Sequence, residues 1–320
     1  MLRSFLIYLS KVAWARQMVT GWAFAWRAAA RFVAGEQLED AIAAVRALNK
    51  RGINATLDLL GEHTTNIEQA HAATRDVLQI IEAIDQTAIH ANVSIKLTQI
   101  GLSLDEKTCE RNLRQILEAA QRHGTFVRID MEDSPWTEKT LALFRELLLD
   151  CGCENLGVVL QAYLYRSEAD MTSLMKLQAR VRLCKGAYKE PAAIAFPKKK
   201  DVNTSYDRLA KILIDGALAA GAPQVSANGK IPPIAAIASH DAQRIARAKS
   251  YAQEVGLPKR AMEFQLLYGI RRDLQEQLAA EGYPVRVYVP FGTQWYPYTM
   301  RRLAERPANL WFFLSNFFRR

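Results

Sequence analysis

The stretch TFVRIDMEDSPWTEKTLALFRELLLDCGCENLGVVLQ (125–161) contains two short apolar runs separated by one helical stretch. TFVRIDM (125–131) and LGVVLQ (156–161) have the length of buried strands, and helical periodicity fills residues 136–150 between them. Ser134 offers a cap and Pro135 a first-turn proline for that helix. Two apolar runs joined by a helix read as a βαβ unit with parallel strands. The alternation continues in both directions. Further strand candidates are INATLDLL (53–60), ANVSIKL (91–97), RVRLC (180–184), IAAIAS (234–239), MEFQLL (262–267) and VRVYVP (285–290).

Helical stretches separate them. Leu38, Ala41, Ile42, Val45 and Leu48 recur at helical spacing before Gly52. Thr65 and Glu68 have capping-box spacing for a helix reaching about residue 86. Others fall near 105–122, 168–179 (with Ser167 three residues before Asp170), 201–220, 241–255 and 271–281. Residues 189–205, with Pro191, Pro197 and Lys198–Lys200, read as one long loop after the fifth strand. Eight strand candidates suit an α/β fold closed as a (βα)8 barrel, whose sites lie at the carboxyl ends of the strands. The competing architecture is an open doubly wound sheet. It would carry a G-x-G-x-x-G turn after its first strand, where this chain has GEHTTN (61–66).

Composition narrows the function classes. The 320 residues are 50% hydrophobic and 23% charged, which excludes a disordered, collagenous or disulfide-stapled chain. The Cys151–Cys153 spacing is one residue short of a zinc or redox pair, so a set of reduced thiols is expected. The net charge of +9 is uneven. Residues 1–35 hold Arg3, Lys11, Arg16, Arg27 and Arg31 and no acid, while the remainder is nearly balanced, which argues against a nucleic-acid surface. Interleaved with Trp14, Trp22, Phe24 and Trp26, these charges suit a basic amphipathic helical extension on an anionic membrane, a helix packed on the barrel, or an arginine-rich, acid-poor mitochondrial transit peptide. The other end, LWFFLSNFF (310–318) before Arg319 and Arg320, has a similar character. Three parts are therefore expected: an extension over 1–35, a barrel over 36–307 and an aromatic, basic tail over 308–320.

Polar residues gather at the strand ends: Lys96, Asp130, Gln161, Arg182 with Lys185, His240 with Asp241, and Tyr288. In WYPYTMRRLAERP (295–307), Pro297 fits a helix start, and Tyr298, Arg301, Arg302 and Glu305 share one face. Two adjacent arginines backed by a glutamate suit capture of a carboxylate or phosphate. No H-E-x-x-H, G-x-S-x-G or P-loop pattern occurs, and the five histidines are scattered, so no metal centre is expected. An electropositive site short of free carboxylates suits an anionic substrate beside a cofactor that carries the chemistry.

SIKLTQ (94–99), RIDMED (128–133), LQAYLYR (160–166), RLCKGAY (182–188), SHD (239–241), EFQLLYG (263–269) and YVPFG (288–292) followed by YPYTMRRLAE (296–305) together resemble the compact, monofunctional bacterial proline dehydrogenases. The resemblance implies a distorted (βα)8 barrel with the last helix over its mouth. It also implies FAD across the strand ends, oxidation of L-proline to 1-pyrroline-5-carboxylate, and a membrane quinone as final acceptor. Arg301, Arg302 and Lys96 would pair with the proline carboxylate, with Glu305 holding Arg301. Tyr288 and Tyr298 would line the ring. Asp130 would orient the polar network, and Arg182 would approach the reactive flavin nitrogen. Met131, Gln161, Lys185, Gly186, Ala187, Tyr188, Ser239 and His240 would contact the cofactor. Cys184 and Ser239 depart from the family's frequent Val and Thr. A cytoplasmic protein touching the inner face of the cell membrane through its termini follows from the quinone. Two other readings compete: a different flavin barrel, such as a folate-reducing enzyme, and a non-catalytic membrane-surface module on a decayed barrel. The second should have lost the double arginine or Arg182, and this chain keeps both.

Overall fold

The computed structural model describes residue 26 and residues 29–61, 64–152 and 154–305. Most of the basic N-terminal segment and the tail after 305 lie outside these residues. Eight parallel strands close in sequence order: β1 (Asn54–Leu59), β2 (Ala91–Ile95), β3 (Val127–Ile129), β4 (Leu156–Gln161), β5 (Arg180–Cys184), β6 (Ala235–Ala238), β7 (Met262–Leu267) and β8 (Val285–Phe291). The β1–β8 ladder, running from Asn54↔Arg286 to Leu59↔Phe291, completes the ring. Each crossover carries a helix: α2 (Ile67–Gln86), α3 (Glu106–Arg122), α4 (Ser134–Cys151), α5 (Ser167–Lys176), α6 (Lys199–Ala219), α7 (Ala242–Glu254) and α8 (Arg272–Ala280).

The helices at the two ends of the barrel depart from a regular (βα)8 ring. α1 (Leu38–Asn49) precedes the barrel and packs against β1 and β8, burying Ala41, Ile42, Val45 and Leu48. It covers the seam where a regular eighth outer helix would lie. α9 (Trp295–Glu305), after β8, instead contributes Tyr298 and Arg302 to the cavity at the strand ends, as expected for a last helix over the mouth.

Residues alternate sharply across β1, β2, β3, β5, β7 and β8. Ala55, Leu57, Val93, Ile95, Val127, Ile129, Val181, Leu183, Val287 and Val289 face the helices and build the core. The opposite positions hold Thr56, Asp58, Asn92, Ser94, Arg128, Arg182, Glu263, Gln265 and Arg286, also buried. Barrel interiors are usually filled by branched apolar side chains. This one is filled by ions and amides.

Several local expectations shift by a residue or two. The cap of α2 is Asn66, whose side chain accepts the Gln69 backbone N–H at 2.9 Å, so Thr65 and Glu68 form no capping box. Asp133 caps α4, and Ser134 is its first helical residue, held by Glu190 through its backbone N–H at 2.8 Å and its hydroxyl at 2.7 Å. Ser167 lies inside α5 and donates its hydroxyl to Gln161 O at 2.6 Å, while Arg166 takes Asp170. The loop after β5 ends at Lys198, because Lys199 and Lys200 already form the first turn of α6. α9 begins at Trp295, with Pro297 in its first turn, where no amide donor is needed.

Trp26 and the segment from Ala29 lie against α9. Ala29, Phe32 and Val33 pack with Ile270, Trp295, Tyr296, Tyr298 and Met300 in a second apolar cluster, and Trp26 meets Trp295 edge-on at 5.4 Å. Ala34 N–H bonds to Pro290 O at 2.9 Å, and the Trp295 indole donates to Glu36 at 2.9 Å. Gly269 adopts φ +71°, and a β-carbon there would collide with the Arg31 carbonyl, so the segment approaches the β7–α8 turn backbone to backbone. No described helix is long and apolar enough to cross a membrane.

Candidate active site

A cavity of about 620 Å³ opens at the carboxyl ends of the strands, with every strand or the residues just after it contributing to its wall. Its floor is a hydrogen-bonded network built from inward-facing strand positions. Asp130, one residue past β3, accepts from Ser94 Oγ at 3.0 Å, an Arg182 Nη at 2.7 Å and the Tyr288 hydroxyl at 2.7 Å. Arg182 also donates its Nε to Gln265 Oε1 at 2.5 Å, and its guanidinium stands 5.3 Å from the Tyr288 ring centroid. Burial, and next the Asp130 and Asp58 carboxylates, push the Tyr288 phenol well above its ordinary pKa. It therefore stays a neutral donor.

Beside this network the Lys96 ammonium meets Asp58 Oδ1 at 2.8 Å, with both residues nearly closed to water. Burial raises the Asp58 pKa by more than Lys96 lowers it, and Asp130 adds to the rise.

The far wall holds a different set of groups. Lys185 binds Asp241 at 2.7 Å and Asn203 at 2.6 Å. Burial alone would raise the Asp241 pKa, but Lys185, together with the Gln243 and Arg244 backbone N–H groups, outweighs it and the net direction is down. His240 Nε2 accepts the Leu267 backbone N–H at 2.9 Å. Since that nitrogen is the acceptor, the ring is neutral with its hydrogen on Nδ1. Gln161 donates its amide to the Met131 and Glu132 carbonyls at 3.2 and 3.3 Å, leaving Oε1 buried with no protein hydrogen-bond partner. Gly186, at φ +107°, is required where its backbone crosses the Tyr163 ring, because a β-carbon would collide with it. Cys184 also lines the wall, its thiol lifted to about 11 by burial and so kept protonated.

Tyr298 and Arg302 reach the cavity from α9, one turn apart, with the Arg302 guanidinium 5.2 Å from the Tyr298 ring centroid. The side chains of Arg301 and Glu305, expected on the same face, lie outside the described residues. The remaining site candidates, Lys96, Asp130, Met131, Gln161, Arg182, Lys185, Gly186, Ala187, Tyr188, Ser239, His240 and Tyr288, all line this one cavity.

Sequence reading passed over Asp58, Gln265, Val159 and Lys199, which also line it. Asp58 could have been found, because Asn54, Thr56 and Asp58 repeat a polar residue at every second place of β1. Among the described residues no group of three or more His, Cys, Asp or Glu could hold a metal ion. The arrangement can fix an anion at Lys96 and Arg302 beside two aromatic rings, and it can offer an acceptor and several donors to a larger polar ligand along the strand ends.

A model of the family described as proline dehydrogenase matches residues 41–314. The chain is 44% identical over 287 residues to the proline dehydrogenase of Deinococcus radiodurans, covering 89% of this chain and 88% of that one. It is 38% identical over 311 residues to proline dehydrogenase 2 of Bacillus subtilis, covering 97% and 96% of the two chains. The crystal structure of proline utilization A from Bdellovibrio bacteriovorus, inactivated by N-propargylglycine, is similar with a TM-score of 0.77 at 26% identity. That match covers 88% of this chain and 33% of the other, so the chain spans about a third of the larger protein.

Proposed function

The chain belongs to the proline dehydrogenase family, and from that premise we propose that it oxidises L-proline to 1-pyrroline-5-carboxylate, using FAD and a membrane quinone, as the first step of proline catabolism. One observation carries the reading: Lys96 and Arg302 line the same cavity as Tyr288 and Tyr298. Two cations match the carboxylate of proline, and two rings match its saturated ring.

The residues present fit FAD. Gln161 Oε1 is a buried acceptor awaiting an N–H, a role a flavin ring can fill. Lys185 and Lys199 offer positive charge for a diphosphate, and His240 lines the same cavity. Met131, Gly186, Ala187, Tyr188 and Ser239 complete the proposed cofactor wall. Bound FAD supplies the hydride acceptor and the route for electrons to the quinone.

The chain's own residues do the rest. Arg302 and Lys96 hold the substrate carboxylate; the expected help of Arg301 and Glu305 falls on side chains outside the described residues. The same cations disfavour a second positive charge on the amine, which must be neutral to give up hydride. Tyr288 and Tyr298 hold the ring and exclude water, and the neutral Tyr288 phenol adds no charge beside the reacting carbon. Asp130 and Gln265 hold the Arg182 guanidinium between them, where it can stabilise negative charge gained on reduction.

The purified protein is expected to show the visible absorbance of an oxidised flavin and to lose it when proline is added without oxygen. Bleaching by NADH and none by proline would replace this reading with that of a different flavin barrel.

A further inference from the structure

Beneath the cavity lies a group of buried ions that the proposed chemistry leaves unused. Glu263 is 0% exposed inside the barrel, although a lone carboxylate there is costly. Its Oε1 accepts from Arg286 Nε at 2.9 Å and from Gln265 Nε2 at 2.6 Å. Arg286 is anchored independently, to Ala55 O at 2.7 Å and to Gly229 O at 2.6 Å. Gln265 lies between Glu263 below and Arg182 above.

The chemistry of these groups leaves Gln265 one orientation. Arg182 Nε can only donate, so it needs the amide oxygen. The Glu263 carboxylate can only accept, so it needs the amide nitrogen. Without Glu263 the nitrogen end of the amide would have no anchor, and only Arg182 itself would hold the oxygen end. Arg182 would then keep Asp130 and Ser94 as fixed partners, but its third restraint would be a mobile one.

We propose that Glu263 is a positioning residue that, through Gln265, fixes the guanidinium of Arg182 against the cofactor side of the active site. The inference rests on the function proposed above. Glu263 touches neither substrate nor cofactor; its effect passes through one amide.

The test is a double-mutant cycle on the FAD-loaded enzyme with Glu263→Met, which has no oxygen to accept from the Gln265 amide, Gln265→Met and the pair together. Each single variant is expected to lower kcat for proline by about 10- to 100-fold, the loss of one hydrogen bond to a charged group, with KM within about twofold. The double variant is expected to be no slower than the worse single one, because both changes cut the same link. The flavin midpoint potential, measured by dye equilibration, is expected to fall in Glu263→Met as Arg182 loosens. Simple removal of a buried negative charge would raise it. A folded Glu263→Met variant with wild-type kcat, multiplicative effects in the double variant, or a raised potential would each overturn the proposal. If Glu263→Met does not fold, Gln265→Met leaves the Glu263–Arg286 pair whole and must show the kcat loss alone; wild-type kcat there also overturns it. Failure of the parent reading would show separately, as wild-type protein that proline does not bleach.

Discussion

Lys96 Nζ and Asp58 Oδ1 stand 2.8 Å apart at the ends of neighbouring strands, with side-chain exposures of 9% and 1%. Removing one partner strands the other as an uncompensated buried charge, whereas removing both relieves two desolvation costs. Asp58→Leu is therefore expected to lose about 3–5 kcal/mol of stability, and Asp58→Leu with Lys96→Met to recover it and gain up to about 4 kcal/mol. Urea unfolding of the three proteins checks this, and proline turnover should be lost in both variants. The sign of the Asp58 shift agrees. Its folded pKa is raised, so its favourable contribution is whole below the unfolded value of 3.8 and is lost as pH rises through the folded one. At neutral pH the ionised carboxyl works against the fold, and its use lies in holding Lys96.

Phe32, 3% exposed, packs with Tyr298 and Met300 of α9 in the second apolar cluster. Phe32→Ala is expected to cost about 3–5 kcal/mol locally and to loosen the helix that carries Arg302. The KM for proline should rise while FAD content stays at the wild-type level. Lower stability with an unchanged KM would reduce the segment to a structural prop.

The basic N-terminal segment divides at this contact. Deleting residues 1–25 removes Arg3, Lys11 and Arg16 but leaves Trp26, Phe32 and Val33 to pack on α9. If those charges hold an anionic bilayer at about 1 kcal/mol each, sedimentation with anionic vesicles should fall in the shortened protein. Turnover with a soluble dye should persist. Equal sedimentation would move the contact to residues 308–320 or dismiss it.

The eight strands were legible because their helix-facing positions are apolar and their lengths are short, even where, as in β1, β5 and β8, the inward positions are polar. Helix starts were less legible. Thr65 and Asn66 are both good caps, and only the fold selects Asn66 by aiming its side chain at the Gln69 amide. Ser134 looks like a cap until Glu190, distant in sequence, takes both of its donors. At the site, a charged residue ending an apolar run stood out, as Lys96 and Asp130 did. Gln265 did not, since a glutamine inside MEFQLL carries no sign of the arginine it meets across the barrel. The position of α9 over the mouth has no local signature either, and depends on α1 having filled the β1–β8 seam.

Arg302 offers the sharpest test of the substrate site. It lines the cavity from α9 with its guanidinium beside the Tyr298 ring, and Lys96 lines the same cavity. Arg302→Met keeps the stem and removes the planar donor fork. Breaking a desolvated, hydrogen-bonded charge pair typically costs about 2–5 kcal/mol, so kcat/KM for proline is expected to fall roughly 30- to 4,000-fold. Arg302→Lys should recover little, because a point charge cannot reproduce planar two-point contact with a carboxylate. FAD content should stay near the wild-type level in both variants, since α9 is assigned to the substrate and the Lys185 side of the cavity to the cofactor. A helix face that merely meets solvent would instead change stability by no more than about 0.5 kcal/mol and leave the kinetics alone. Wild-type kcat/KM in Arg302→Met would remove the carboxylate assignment, and the proposed reaction would lose the contact that orients its substrate.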